Sequence, residues 1–205
     1  MYHVDVLIIG SGPAGYTAGL YVSRAGLNVL LCSGTETGGQ LMYTHEIENY
    51  PPFTKISGVD LMDMFSQQLK TIGTPILNEK VTHINLKTYP FEFETETQKG
   101  KAKTVIIATG GGAVTRPENM ELLSKNGIIV FIDRKPEKIY ETINDVVRPL
   151  LNDDKLRLFK LYEERIELYR EYATYIIGNN GSSEATVEKL VKYVRGEFDE
   201  KDFGN

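Results

Sequence analysis

Residues 4–33, VDVLIIGSGPAGYTAGLYVSRAGLNVLLCS, constrain the fold more than any other part of the chain. Residues 4–10 are a short β-branched run broken by glycine. Good helix formers come next and end at Gly26, and residues 27–33 read as a second strand. Strand, tight turn, helix and strand make a βαβ unit. Inside the turn, Gly10, Gly12 and Gly15 keep G-x-G-x-x-G spacing. The first glycine permits positive φ, the second lets a pyrophosphate reach the backbone, and the third lets helix pack on strand. The helix start then offers N–H groups and partial positive charge to phosphates. A plain glycine-rich turn is the alternative, but the strand before it and the helix after it favour a dinucleotide. Gly10, Ser11, Gly12, Pro13, Ala14 and Gly15 are therefore candidate cofactor residues. The acidic residue that holds ribose hydroxyls at the end of the second strand would fall near Ser33, and the nearest carboxylate, Glu36, lies in the next loop.

Downstream, residues 57–73 place Met62, Phe65, Leu69 and Ile72 on one helical face, with Ser57 as N-cap. Between 74 and 103, Phe91, Phe93 and Thr95 alternate with Glu92, Glu94 and Glu96, which predicts a small antiparallel insertion leading into a buried strand, TVIIAT. Strands and helices then alternate: a helix near 117–125, a strand at 127–133, a helix from Pro136, a long polar helix at 153–171 and a strand at 172–178. A last helix, 182–196, has Val187, Leu190, Val191 and Val194 as its apolar face.

A formal charge of −5 over 205 residues leaves no broad basic face, which argues against nucleic acid as a partner. No apolar run reaches the length of a membrane span, and the N-terminus lacks a basic n-region, so a cytoplasmic protein without membrane contact is expected. Cys32 is the one cysteine, which excludes a C-x-x-C pair within these residues and predicts a buried structural thiol. No metal site is expected.

VDVLIIGSGPAGYTAGLYVSRAGLNVLLCSG, GGQL (38–41), HEIENYPPF (45–53), ISGVDLMDMFSQQ (56–68) and TVIIATG together resemble the N-terminal FAD segment of low-molecular-weight thioredoxin reductases, over about residues 1–110. The resemblance implies that the glycine loop holds the FAD pyrophosphate and that Gly39, Gln40 and Asn49 approach the flavin. Thr109 and Gly110, at the end of the segment, are further candidate cofactor residues. Gln40 and Asn49 also fit a plainer role as loop-capping groups. Where the family has P-G-F, this chain has Pro51, Pro52 and Phe53. Three further family elements do not occur in these residues: the redox C-x-x-C, a second glycine-rich loop for NADPH and a late G-D-x-x-D.

From ATGGGAV onward, about residues 105–205, a different resemblance takes over. ATGGGAVTRPENMELLSKNGIIVFIDRKPEKIYETI, RPLLNDD (148–154) and YEERIELYREYA (162–173) are similar to the C-terminal half of shikimate kinases. This implies shikimate contacts from Gly110, Gly111, Gly112 and Arg165, and a place for Arg148 on the lid over ATP. Arginine suits carboxylate and phosphate because its fork pairs with either bidentately. Both arginines also fit as solvated helix residues. No G-K-[ST] occurs, so the P-loop lysine and hydroxyl are missing and ATP binding is not expected.

The two resemblances meet in the ATG at 108–110, which both families use at the end of a buried strand. The chain therefore reads as a chimera with segments 1–109 and 110–205. The expected fold is α/β, three-layer and Rossmann-like, with a doubly wound, mainly parallel sheet. Five parallel strands, at 4–9, 28–32, 104–108, 128–132 and 173–177, are expected to share one merged sheet. The families compete for one edge of the first strand: the reductase pattern puts the second strand there, the kinase pattern puts IIVFID there. The expected function is weak binding of FAD or another small-molecule nucleotide without turnover. A shikimate-kinase-like binding protein and a ligand-free structural chimera are the alternatives.

Overall fold

The computed structural model describes residues 1–48, 50, 52–139, 152–181, 185–186, 188–189 and 192. Asn49, Pro51, Arg148 and the apolar face of the last predicted helix lie outside them.

The N-terminal unit follows the predicted order: β1 (Tyr2–Ile9), α1 (Pro13–Arg24) and β2 (Val29–Cys32). A 3₁₀ turn, Gly39–Tyr43, leads towards α2 (Gly58–Thr71). The Ser57 hydroxyl accepts from the Asp60 N–H at 3.0 Å and caps α2 as expected. Met62 and Leu69 are buried on the predicted face and Phe65 packs against the same cluster. Ile72 is exposed, because the helix ends one residue earlier at Thr71. Strands β3 (Ile76–Leu77), β4 (Val81–Asn85), β5 (Phe91–Thr95) and β6 (Lys99–Ile107) complete the unit.

These strands form one sheet in the order β3-β2-β1-β6-β5-β4. Pairs β3–β2, β2–β1 and β1–β6 are parallel, whereas β6–β5 and β5–β4 are antiparallel. The fold is thus a Rossmann-like α/β arrangement with a mixed sheet, and its antiparallel strands fall in the region where the sequence places an insertion. Successive side chains of β1 and β2 point to opposite faces, so uninterrupted apolar runs such as VLII and VLLC mean that both faces are covered. On one face Val6, Ile8, Val29 and Leu31 pack with Tyr16 of α1 and with Met62 and Leu69 of α2. On the other, Leu7, Leu30 and Cys32 pack with Phe93 of β5 and Ala102 of β6. Full burial of each such leucine contributes about 1.5–3 kcal/mol.

The C-terminal unit contains a 3₁₀ turn (Ala113–Thr115), α3 (Pro117–Asn126), β7 (Val130–Asp133), α4 (Asn152–Tyr172) and β8 (Tyr175–Gly178). Residues 136–139 are helical as well. β7 and β8 pair in parallel, with Phe131 opposite Ile176. Phe131 stacks on Tyr169 of α4 with ring centroids 4.9 Å apart.

The expectation of one merged sheet does not hold among the described strands. β7 and β8 form their own two-stranded sheet, and the chain divides into compact units Met1–Gly110 and Gly111–Asn205. The reason lies in β1, which has only two edges. One is taken by β2, from Val6 opposite Val29 to Ile9 opposite Cys32. The other is taken by β6, from Tyr2 opposite Gly100 to Ile9 opposite Ile107. The competition predicted for β1 is resolved in the reductase pattern.

Candidate functional site

The end of β1 builds the site. The Gly10 N–H donates to the Cys32 carbonyl at 2.9 Å, and the chain then turns away with Gly10 at φ +108°, a region that side chains disfavour. A Cβ on Gly10 would stand 2.7 Å from the Ala108 carbonyl oxygen, and one on Gly15 would stand 2.0 Å from the carbonyl oxygen of Gly10. These two glycines are needed because α1 starts directly against the strand ends. Gly12 differs: a Cβ there would meet nothing within 4 Å, so the space in front of it is open.

Gly12 is the N-cap of α1 in extended conformation, no side chain caps the helix, Pro13 opens it and its first turn holds no acidic residue. The helix N-terminus therefore keeps donor capacity and uncompensated positive partial charge beside an open space. Ala14 is exposed there and Pro13 half-buried. Gly39 closes the other side: a Cβ on it would lie 3.3 Å from the Cα of Gly12.

Ser11 holds these pieces together. Its hydroxyl donates to the Ser33 carbonyl at 3.2 Å and accepts from the Gly38 N–H at 2.9 Å, and the residue is buried. One side chain thus joins the glycine turn, the end of β2 and the segment that delivers Gly39. Tyr16 is buried beside them, and burial raises the pKa of its hydroxyl above the usual phenol value. Burial, reinforced by the negative charge of Glu79, pushes the Cys32 thiol up to about 11, so it stays protonated and inert.

The predicted cofactor residues 10–15 and Gly39 are brought together. Gln40 is exposed on the 3₁₀ turn, and Thr109 and Gly110 are exposed just beyond β6. A cleft of ≈ 220 Å³ bordered by Tyr16, Gly38, Asp63, Ser66, Lys70 and Asn78 includes none of Gly10, Gly12, Gly15 or Gly39, so it is separate from the glycine turn. Ala108 escapes a motif search: its methyl carbon would lie 3.7 Å and 3.5 Å from Cβ atoms on Gly10 and Gly15. The only signal for it is the small residue that opens the ATG word.

In the C-terminal unit the Tyr169 hydroxyl donates to the Gly111 carbonyl at 2.6 Å, and a Cβ on Gly111 would stand 2.9 Å from that hydroxyl oxygen. Arg165 is half-buried one turn earlier on α4, on the same helical face as Tyr169. Gly111 is thereby tied to α4 through Tyr169, one turn from Arg165, whereas Gly112 is exposed and its carbonyl accepts from Thr115 Oγ1 at 2.8 Å. Among the described residues, no cluster of His, Cys, Asp and Glu could hold a metal, and no helix is long and apolar enough to cross a membrane.

A parallel βαβ start, a glycine turn and an uncapped helix N-terminus define an α/β fold of the nucleotide-binding, Rossmann type. Residues 5–44 match the FAD binding domain family model. Residues 91–195, just over half of the chain, match the shikimate kinase family model, and the chain belongs to that family. Thioredoxin reductases are similar over the first half: that of Buchnera aphidicola subsp. Acyrthosiphon pisum is 46% identical over 109 residues, covering 53% of this chain and 34% of its own length. That of Rickettsia typhi is 47% identical over 107 residues, 51% of this chain and again 34% of its own. The chain thus spans about a third of the length of these relatives. Among solved structures, the T. acidophilum thioredoxin reductase matches with a TM-score of 0.50 at 33% identity, over 54% of this chain and 36% of that one. The Giardia duodenalis enzyme matches with 0.52 at 25% identity, over 93% and 62%. The N-terminal unit is accordingly an α/β fragment similar to the corresponding part of thioredoxin reductases. The kinase match begins at residue 91, so it includes β5 and β6 of that unit.

Proposed function

We propose that the protein binds FAD through its N-terminal unit, without a complete reductase or kinase active site in these residues. The observation that carries this reading is the open space before Gly12, flanked by the uncapped start of α1 and by Gly39. It suits a pyrophosphate: no side chain fills it, and the N–H groups of the first helical turn face a place where negative charge is stabilised. Gly10, Gly12, Ala14, Gly15 and Gly39 would hold the diphosphate, with Ser11 fixing the loops around it. Gln40, Asn49, Thr109 and Gly110 are the proposed flavin-side residues. When bound, the flavin would supply redox chemistry. The part of these residues is to bind and orient it: Cys32 is a protonated, buried thiol, and it is the one cysteine among them. We further infer that the chain joins a reductase-like and a kinase-like segment at 108–110, in a cytoplasmic protein whose ligand is a small nucleotide rather than nucleic acid.

An absorbance spectrum of the purified protein, followed by FAD titration with fluorescence and thermal-shift readouts, tests the reading. Bound flavin or FAD-induced stabilisation supports it. A colourless protein that FAD does not stabilise overturns it.

A second reading rests on the C-terminal unit. The link from Tyr169 to Gly111, with Arg165 one turn away, favours binding of a small carboxylate such as shikimate, with Gly112 and Arg148 as proposed further contacts and no phosphoryl transfer. Calorimetric titration with shikimate, repeated on Arg165→Ala, decides it. Heat that survives the substitution unchanged argues against this site.

A further inference from the structure

The nucleoside half of a ligand whose diphosphate sits on α1 extends over the end of β2, where a carboxylate usually meets the ribose. Here that position is Ser33, a buried residue with the Gly34 carbonyl at 2.9 Å and Asn78 Oδ1 at 3.0 Å within donating reach of its hydroxyl. With the side chain turned to the protein, the ribose would rest on the main chain of residues 33–34. That turn is held by two bonds: the Ser33 N–H donates to the Leu77 carbonyl at 2.9 Å, and the Gly34 N–H donates to the Glu79 carbonyl at 3.2 Å.

Glu79 is itself clamped. Its carboxylate accepts from Thr95 Oγ1 at 2.5 Å, from the Thr97 N–H at 3.0 Å and from Thr97 Oγ1 at 2.6 Å. These are charge-assisted bonds of the stronger kind. The Thr95 hydroxyl also accepts from the Gln98 N–H at 2.9 Å, so the turn between β5 and β6 is a fixed body, not a loose loop. A chain of contacts therefore runs from that turn through Glu79 to the Gly34 N–H.

Resting on the FAD reading above, we propose that Glu79 is a positioning residue for the adenosine end of ADP-bearing ligands, acting through Gly34. It touches no ligand. It fixes the main chain on which the ribose rests, while Ser11 and the glycines serve the diphosphate.

ADP is the probe for both halves of the site, and inorganic pyrophosphate, read by displacement of ADP, is the probe for the cradle alone. Glu79→Ala should weaken ADP about tenfold and leave pyrophosphate unchanged. Thr97→Val, which removes a hydroxyl partner of the clamp, should weaken ADP in the same direction, and the double variant should be no weaker than Glu79→Ala alone, because both changes break one linkage. Glu79→Gln keeps the length and one acceptor oxygen. It should recover part of the ADP affinity and serves if the alanine variant folds poorly. Equal loss of ADP and pyrophosphate, additive effects of Glu79 and Thr97, or unchanged ADP affinity in Glu79→Ala would each overturn the proposal. Failure of the unmutated protein to bind ADP or FAD overturns both this inference and the reading it rests on.

Discussion

The carbonyl oxygen of Gly10 occupies the place where a Cβ on Gly15 would point, 2.0 Å away. The start of α1 and the end of β1 are thus in backbone contact, and no flexible side chain can give way. Gly15→Ala should force the helix off the sheet and cost about 1–3 kcal/mol, the usual range for overpacking. Urea denaturation should show a lower midpoint, and FAD binding should fall with it. An unchanged midpoint would mean that helix and strand are not packed this closely.

Gly12→Val should behave in the opposite way. A side chain there meets nothing within 4 Å, so the fold should tolerate it and the melting temperature should hardly move. It would occupy the space proposed for the diphosphate, so FAD and ADP binding should be abolished. Retained affinity would remove the glycine loop from the binding site.

Ser11→Ala leaves the Gly38 N–H without the acceptor it now has at 2.9 Å in a buried setting. An unsatisfied buried donor costs about 1–3 kcal/mol. The loss should appear in chemical denaturation, together with weaker FAD binding as the segment carrying Gly39 loosens. Ser11→Thr keeps the hydroxyl and should restore the binding if the extra methyl is accommodated.

Asp5 joins β1 to β6. Its carboxylate accepts from Lys103 Nζ at 2.8 Å and from the Asn28 N–H at 2.9 Å. The Lys103 hydrogen bond first, and the Asn28 N–H second, hold its pKa below the ordinary 3.8. Because the folded value is the lower one, this contribution to stability is present above the ordinary value and is lost as pH falls through the depressed one. Lys103 is shifted the other way, above 10.5, by its hydrogen bond to Asp5. Its share is present below 10.5 and is lost as pH rises through the raised value. Asp5→Asn should flatten both limbs of a plot of stability against pH, and a variant with the unmutated profile at both ends would show the pair to be energetically silent.

The local parts of this architecture are legible in the sequence because they depend on neighbours along the chain. The strand, glycine turn and helix of residues 4–24 follow from spacing, and Ser57 caps α2 three residues before its partner Asp60. The glycines at 10, 12 and 15 are legible as a motif, and the structure separates two that relieve packing from one that leaves space. Long-range pairing is not legible. IIVFID looks as suitable a neighbour for β1 as LNVLLCS, and the choice between them is made by registered ladders and by Tyr16, Met62 and Leu69 packing across β1 and β2. Glu79 is hidden for the same reason: nothing in its surroundings along the chain announces that Thr95 and Thr97 will meet its carboxylate.

β6 takes its last rung with β1 at Ile107 opposite Ile9, and the Ala108 N–H adds a final bond to the Ile9 carbonyl. Every ladder of the six-stranded sheet is therefore complete before Gly110. A different segment joined after this point would leave every strand pairing of the upstream sheet intact. In modular terms, the ATG word is a boundary: no hydrogen-bonded rung of the first module lies beyond it.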